Sequence, residues 1–553
     1  MATVTARFCR GGVVLAALLA VAACGGGGDG GGGGPPAGGT PPPAAEAPVR
    51  VTGTTPFAPG CDGGAGVGLR YAGAEVEPMI AVNPRDADHL VGVWQQDRWS
   101  SGGAQGLMTG ASFDGGRTWE RHAAPFSRCT GGDAANGGDY ERATDPWVSF
   151  SPDGTAHQIA LALRGSSFLP GSVNAILASR STDGGRTWSD PVPLRIDGSD
   201  AFNDKESITA DPADSRLVYA TWDRLTAGGG GPTWFSRSTD GGRTWEAARP
   251  IHDPGTNRQT INNQIVVLPD GTLVNFFTEL DQTAAAPRTT TLAVMRSLDK
   301  GVTWSAPVAI AEVRALGAAD PDAGTPIRDG ALLGAIAAGP RGELAAVWQD
   351  SRFSGGVRDA VAFSRSPDGG LTWSAPVRVS REPAVPAFMP SVTVRRDGTI
   401  GVGYYDLRNN TADRATLPTD YWLARSADGV TWTEIHVDGP FDLSIAPNAN
   451  GLFIGDYHGL ASIGDAFVPF YARTNDGDLA NRTDVFAFVA RAVAAARSTR
   501  AAPVADEPGI AMKAQAAPPL ELTAELQQRL AATVRRTLQR RVPGWTPPGD
   551  APR

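Results

Sequence analysis

The sequence predicts an all-β chain: one closed architecture of repeated four-stranded units, seven by repeat count with six as the alternative, plus a short C-terminal helix. Three observations predict it. A string of the form Ser-x-Asp-x-Gly-x-Thr-Trp recurs with its Asp at 114, 183, 240, 299, 368 and 428, the sixth copy being one residue short. The copies lie 57 to 69 residues apart, so one unit is repeated along most of the chain. Short alternating apolar runs flank the strings, and turn signals such as Ser151-Pro-Asp-Gly154 and Pro269-Asp-Gly271 separate further runs.

Taken in order, residues 1–23 have the form of a secretory signal, with Arg7 and Arg10 before an apolar run over 13–22. The run is too short to span a bilayer. Val21-Ala-Ala-Cys24 resembles a bacterial lipobox, which implies lipidation of Cys24 and export to the cell envelope, at the outer membrane, periplasm or cell surface. Residues 24–47, rich in Gly, Pro and Ala, read as a flexible tether. With Cys9 in the signal and Cys24 lipidated, Cys61 and Cys129 remain as an even pair, and a disulfide between them is expected.

Residues 48–493 hold the repeats. First strands are expected to start near Glu77, Asp145, Lys205, Asn263, Arg328 and Met389, and second strands to end near Arg98, Arg164, Arg224, Glu279, Arg352 and Arg408. A seventh unit has no Ser-x-Asp string. Its strands are expected at 453–460, 466–471 and 484–489, with residues 48–52 from the other end supplying the fourth. From about residue 494 the composition shifts to Ala, Pro and Arg. Leu522, Leu526, Leu530, Val534 and Leu538 then mark a basic amphipathic helix.

In each string the Asp can accept turn amides, Gly supplies φ > 0 and Trp packs beneath with its N–H finding a partner. The six Asp residues therefore read as structural. The strings resemble the Asp-box (BNR) repeats of the sialidase-like β-propeller superfamily over about residues 70–495, and an Asp-box β-propeller is the fold this implies. Many members of that superfamily are exo-sialidases or other glycoside hydrolases; others have no known catalysis.

In a four-stranded blade the start of strand one and the end of strand two share a face, away from the Asp boxes. Those positions carry Glu77, Asp145, Glu206, Arg328, Asp329 and Asp456, and the repeated pairs Asp97/Arg98, Asp223/Arg224, Asp350/Arg352 and Asp406/Arg408. Such a ring suits a polar, hydroxyl-rich or anionic ligand, and paired carboxylates could serve glycoside cleavage. Asp97, Arg328, Tyr405 and Glu206 are the catalytic candidates. Glu77, Arg98, Asp145, Arg224, Asp329, Arg352, Arg408 and Asp456 are the ligand-binding candidates. The Asp/Arg pairs read equally well as salt bridges within a blade, and Tyr404, Tyr405 and His458 as core.

The family's catalytic pattern is not preserved. Val76-Glu77-Pro78 stands where sialidases carry Arg-Ile-Pro, Asn263 and Gln264 replace the Glu that activates a Tyr nucleophile, and Glu279 stands where an Arg is usual. Two functions stay open: glycoside hydrolysis of sialidase type, and binding of glycan or protein without catalysis. No cofactor or metal is expected. Mild acidity, −9 with no basic tract, argues against nucleic acid. The expected partners are a glycan and, through Cys24, a membrane, with the protein itself a monomer.

Overall fold

Each repeat folds as an antiparallel meander because its alternating runs are joined by Gly- and Pro-containing turns too short for any other connection. The computed structural model describes residues 47–63, 68–281 and 290–491. The signal, the tether, Cys24 and the C-terminal helix lie outside the described residues.

Four sheets hold four consecutive strands each, hydrogen-bonded in chain order. They begin with the strands Ala201–Ala210, Arg258–Val267, Ala335–Ala338 and Ala387–Val394. An eight-stranded sheet begins with Glu75–Val82; its second half, from Arg142–Phe150, joins the first through a single residue pair, Ala104 and Ala143. The last sheet contains Gly459–Ile463, Ala466–Thr474 and Thr483–Ala487. Its fourth strand, Val49–Arg50, comes from the start of the described chain, with Val49 opposite Ala487. The first strands of successive units pack on one another, and Gly459–Ile463 packs on Glu75–Val82, so the row of inner strands closes on itself. This radial arrangement is that of a β-propeller.

Fully buried aromatics fill the space between sheets, among them Trp94, Trp222 and Trp348 within second strands. The disulfide Cys61–Cys129 is formed. In the repeated turns, Ser181 Oγ donates to Asp183 Oδ1 (2.8 Å), and Asp183 accepts from Thr187 N (2.9 Å) and Thr187 Oγ1 (2.6 Å). Trp119 and Trp188 donate their indole N–H to glycine carbonyls. Trp245, Trp304, Trp373 and Trp432 find no partner for the indole N–H, contrary to expectation; their rings pack against the apolar clusters, Trp304 and Trp432 edge-on to Phe235 and Phe363.

Two strand starts differ from expectation. Arg328 lies in the loop before Ala335–Ala338, and residues 453–458 form a loop before Gly459–Ile463. In both places glycine breaks the strand. A Cβ on Gly330 (φ 60°) would lie 2.2 Å from the Asp456 carbonyl oxygen, so only glycine lets these two loops touch.

Five first strands share an irregularity. A register shift sits at Glu77, Asp145, Lys205, Asn262 and Met389, and each takes a left-handed backbone, φ 52°, 52°, 49°, 62° and 50°. Such φ values are uncommon for residues other than glycine, and a β-bulge re-aims the side chain it carries. Three of the five bulges deliver charged groups to one point.

Candidate functional site

That point lies at the end of the ring where first strands begin. Lys205 Nζ sits 3.2 Å from Glu77 Oε1, 2.8 Å from Asp145 Oδ1 and 2.9 Å from Asp456 Oδ2. Three bulged strands and the glycine-bracketed loop before Gly459–Ile463 thus meet through one ammonium. Asp456 is also held by Arg328, whose Nε donates at 3.0 Å and whose Nη2 donates to the other oxygen. The Asp456 amide donates to Glu77 Oε1 (3.1 Å), and Gln95 donates to Glu77 Oε2. Arg98 and Arg328 both pack over the Phe453 ring, 4.7 and 4.4 Å from its centroid, and Tyr457 lies beneath Lys205 at 5.4 Å.

Enclosure and charge set the protonation of this cluster. Burial pushes Glu77 up to about 8, partly offset by Lys205. Burial would also raise Asp145 and Asp456, but Lys205, with Arg328 for Asp456, holds both below the usual carboxylate range. Burial would lower Lys205, yet its three carboxylates keep it well above the usual ammonium range. Burial, with Arg328 nearby, brings Arg98 down to about 10.

Two further carboxyls border the cluster. Glu206 and Asp223 are 2% and 0% exposed, and none of their four oxygens has a hydrogen-bond partner. Burial drives both well above the carboxylate range; Asp145 and Asp204 push Glu206 the same way, and Asp204 does so for Asp223. Protonated carboxyls therefore stand beside ionised ones, the pattern that separates acid from base roles in hydrolytic sites.

The candidates divide accordingly. Glu77, Asp145, Asp456, Arg98, Arg328 and Glu206 come together. Asp97 does not: it is buried, accepts from Thr55 Oγ1 (2.6 Å) and Gly73 N (2.9 Å), and fastens the incoming chain to the first unit. Arg98 pairs with Gln95 and Thr144 rather than with Asp97. Arg224 pairs with Asp197 at 2.8 Å rather than with Asp223, because the fourth strand of the preceding unit brings Asp197 closer. Arg352–Asp350 and Arg408–Asp406 are salt bridges within a unit, at 2.7 and 2.6 Å. Asp329 accepts from Ala318 N and Gln349 in the fifth unit.

Tyr405 is not at the mouth. Its ring is fully buried among Phe388, Tyr421, Phe441 and His458, and its hydroxyl donates to Ala472 O (2.8 Å). His458 is likewise enclosed, against Met389 O (2.9 Å), and burial brings it down to about 4. A Tyr–Glu pair does exist, Tyr404 with Glu434, but it sits on the flank of the sixth unit beside Arg408. Burial and Glu434 raise the Tyr404 hydroxyl, the reverse of what a nucleophile needs.

Lys205 is the residue that the sequence reading passed over. It occupies the register position of Glu77 and Asp145, and superposing Lys205-Glu206 on Glu77-Pro78 and Asp145-Pro146 would have marked it. A hollow of about 410 Å³ opens at the other end of the ring, among the turns near Leu268, Pro269, Pro340 and Arg395. It lacks the converging charges.

Fold and site define a β-propeller with a charge-packed axial mouth. No protein-family model matches the chain, and no curated protein matches it. Among solved structures it is similar to a Hadza microbial sialidase (18% identity, 64% of this chain and 66% of that one, TM-score 0.42). It is also similar to an α-L-arabinofuranosidase from Fusarium graminearum (12%, 81% and 98%, 0.41) and to a leech intramolecular trans-sialidase (13%, 76% and 92%, 0.40).

Proposed function

We propose that the protein is a lipid-anchored envelope protein, tethered through Cys24, whose seven-bladed head acts on glycans at its axial mouth. The count of seven is supported by the two halves of the eight-stranded sheet, which are joined through one residue pair. The observation that carries the reading is the convergence of Glu77, Asp145, Lys205, Asp456 and Arg328 at one end of the ring, with Glu206 and Asp223 held protonated beside them. Carboxyls in both protonation states supply an acid and a base for glycosidic bond cleavage. Tyr457, the tyrosine at this cluster, donates its hydroxyl to Pro146 O (3.2 Å), and burial with Glu77 and Asp145 raises it, the reverse of what a nucleophile needs. The sialidase-type route is therefore the less supported form of hydrolysis.

A second reading, glycan binding without turnover, is favoured by the pairing of Arg328, Arg352 and Arg408 with their own aspartates. Assay of residues 45–553 on fluorogenic glycosides, sialosides included, separates the two. Turnover that falls at least a hundredfold in both Glu206→Gln and Arg328→Ala establishes hydrolysis. Binding on a glycan array with no turnover establishes the second reading, and neither result rejects both.

A further inference from the structure

We propose that the C-terminal stripe Leu522, Leu526, Leu530, Val534 and Leu538 docks on the face of the ring opposite the mouth, in a groove among the turns of units four to six. The six repeated strings give an internal comparison on that face. The residue before the Thr is Arg117, Arg186 and Arg243 in the first three strings, and Val302, Leu371 and Val430 in the last three. The arginines have local uses: Arg117 and Arg243 donate to the carbonyls of Asp114 and Asp240, and Arg186 pairs with Glu120. The apolar three are 52%, 54% and 67% exposed, and Leu298 of the fourth string is 77% exposed. Large apolar side chains gathered on three adjacent units mark an interaction surface.

These strings border concave ground. The hollow of about 410 Å³ has Val267, Leu268, Ala338 and Val394 in its wall. A second hollow, of about 380 Å³, lies between Arg395 and the sixth string, with Ser426, Asp428 and Thr431 in its wall; Arg395 lines both. Lys300 of the fourth string pairs with Asp211 in the wall of the first hollow, and Leu268 packs beside Gly369 of the fifth. Two hollows joined at Arg395 make a groove that takes one face of an amphipathic helix.

The course of the chain supplies the occupant. Ala490 pairs with Phe467, and Val489 lies beside Gly116 of the first string, so the described chain leaves on this face. Residues 492–521 separate that exit from the stripe. Extended, they reach about 100 Å, against a radius of gyration of about 22 Å for a compact domain of this size. A helix as short as the stripe is marginal by itself and is stabilised by an apolar surface. Tethering raises the effective concentration of the stripe at this chain's own groove above that at a second copy's. A lipid surface is flat and leaves the hollows unfilled.

The test is trypsin cleavage of the full chain in detergent, read by mass at Arg535, Arg536, Arg540 and Arg541. The triple variant Val302→Arg, Leu371→Arg, Val430→Arg gives the last three strings the residue that the first three carry, and its melting temperature checks that the ring still folds. Expected is cleavage at least tenfold slower in the native chain than in this variant. The double variant Leu526→Ser, Leu530→Ser changes the stripe and leaves the ring untouched, and is expected to speed cleavage equally. Equal rates in the native chain and either folded variant overturn the proposal. Should the triple variant not fold, the double variant decides alone. Protection lost on hundredfold dilution assigns the stripe to a second copy, and protection that arises only in phospholipid vesicles assigns it to a membrane; each overturns the proposal. None of these outcomes bears on what the mouth binds.

Discussion

Lys205 holds the mouth together, and its replacement measures how much. In Lys205→Met three enclosed carboxyls, with Asp145 and Asp456 the ionised ones, lose their shared cation. Breaking a buried ion pair on one side costs about 3–5 kcal/mol. Expected is a loss of that order at pH 7 by chemical denaturation. The loss shrinks as the pH falls. Asp145 and Asp456 are depressed in the folded protein, so their contribution is present above the ordinary carboxylate value, about 4, and disappears below it in the native chain. In the variant they have little left to lose. A penalty that stays constant from pH 7 to pH 3 would show that Lys205 acts through packing alone. The sequence showed Glu77 and Asp145 gathering, because strand alternation and a repeated register place them at equivalent positions, whereas Asp456 arrives from a loop before Gly459–Ile463. It did not show which arginine each aspartate would take. Asp197 reaches Arg224 from 27 residues away, on a neighbouring sheet, and no local pattern encodes that choice.

At the level of elements, the meanders and their turns were readable because each turn carries its own chemistry in contiguous residues. The bulges were not, since a bulge is a register relation between two strands and leaves only faint marks in one. The loop that delivers Arg328 shows the same limit. It is clamped by two buried carboxylates: Asp359 accepts from Leu316 N and Gly317 N, Asp329 accepts from Ala318 N, and Gln349 donates to both. Burial pushes Asp359 up to about 7, with Asp329 adding to the shift, and pushes Asp329 up to about 6. Both folded values exceed the unfolded value of about 4. The stability contributed by these protons is therefore complete below about pH 4 and is lost as the pH rises through 6 and 7. Asp359→Asn keeps one acceptor oxygen and cannot ionise. The unfolding free energy between pH 5 and pH 8 is expected to fall less in the variant than in the native protein, by a difference of order 2 kcal/mol, and the melting temperature to follow. Parallel melting curves would count against the clamp as a titrating unit.

For the whole molecule, closure matters most. The last sheet is completed by Val49–Arg50 as its outermost strand, on Thr483–Ala487, and Asp484 fastens it by accepting from Thr52 Oγ1 (2.6 Å) and Arg50 (2.7 Å). Closure was legible in the sequence as a missing strand at one end and a spare one at the other. The bond between Cys61 and Cys129 spans 68 residues, and such a loop stabilises by about 4 kcal/mol through the unfolded chain. The Cys61→Ser, Cys129→Ser double variant is expected to lose up to that amount. A change below 1 kcal/mol would mean that Thr55–Asp97 and its neighbours already pin this segment.

The seam has a mechanical consequence. Thr483–Ala487 runs from the mouth toward the turn face, and Val49 lies opposite its far end, so the described chain starts at that end of the seam. A pull on Ala47 against the mouth runs along these antiparallel strands from opposite ends, and so loads the hydrogen bonds of the two-residue strand together, in shear, rather than one after another. Asp484, gripping Thr52 and Arg50, shares that load with the strand's own hydrogen bonds.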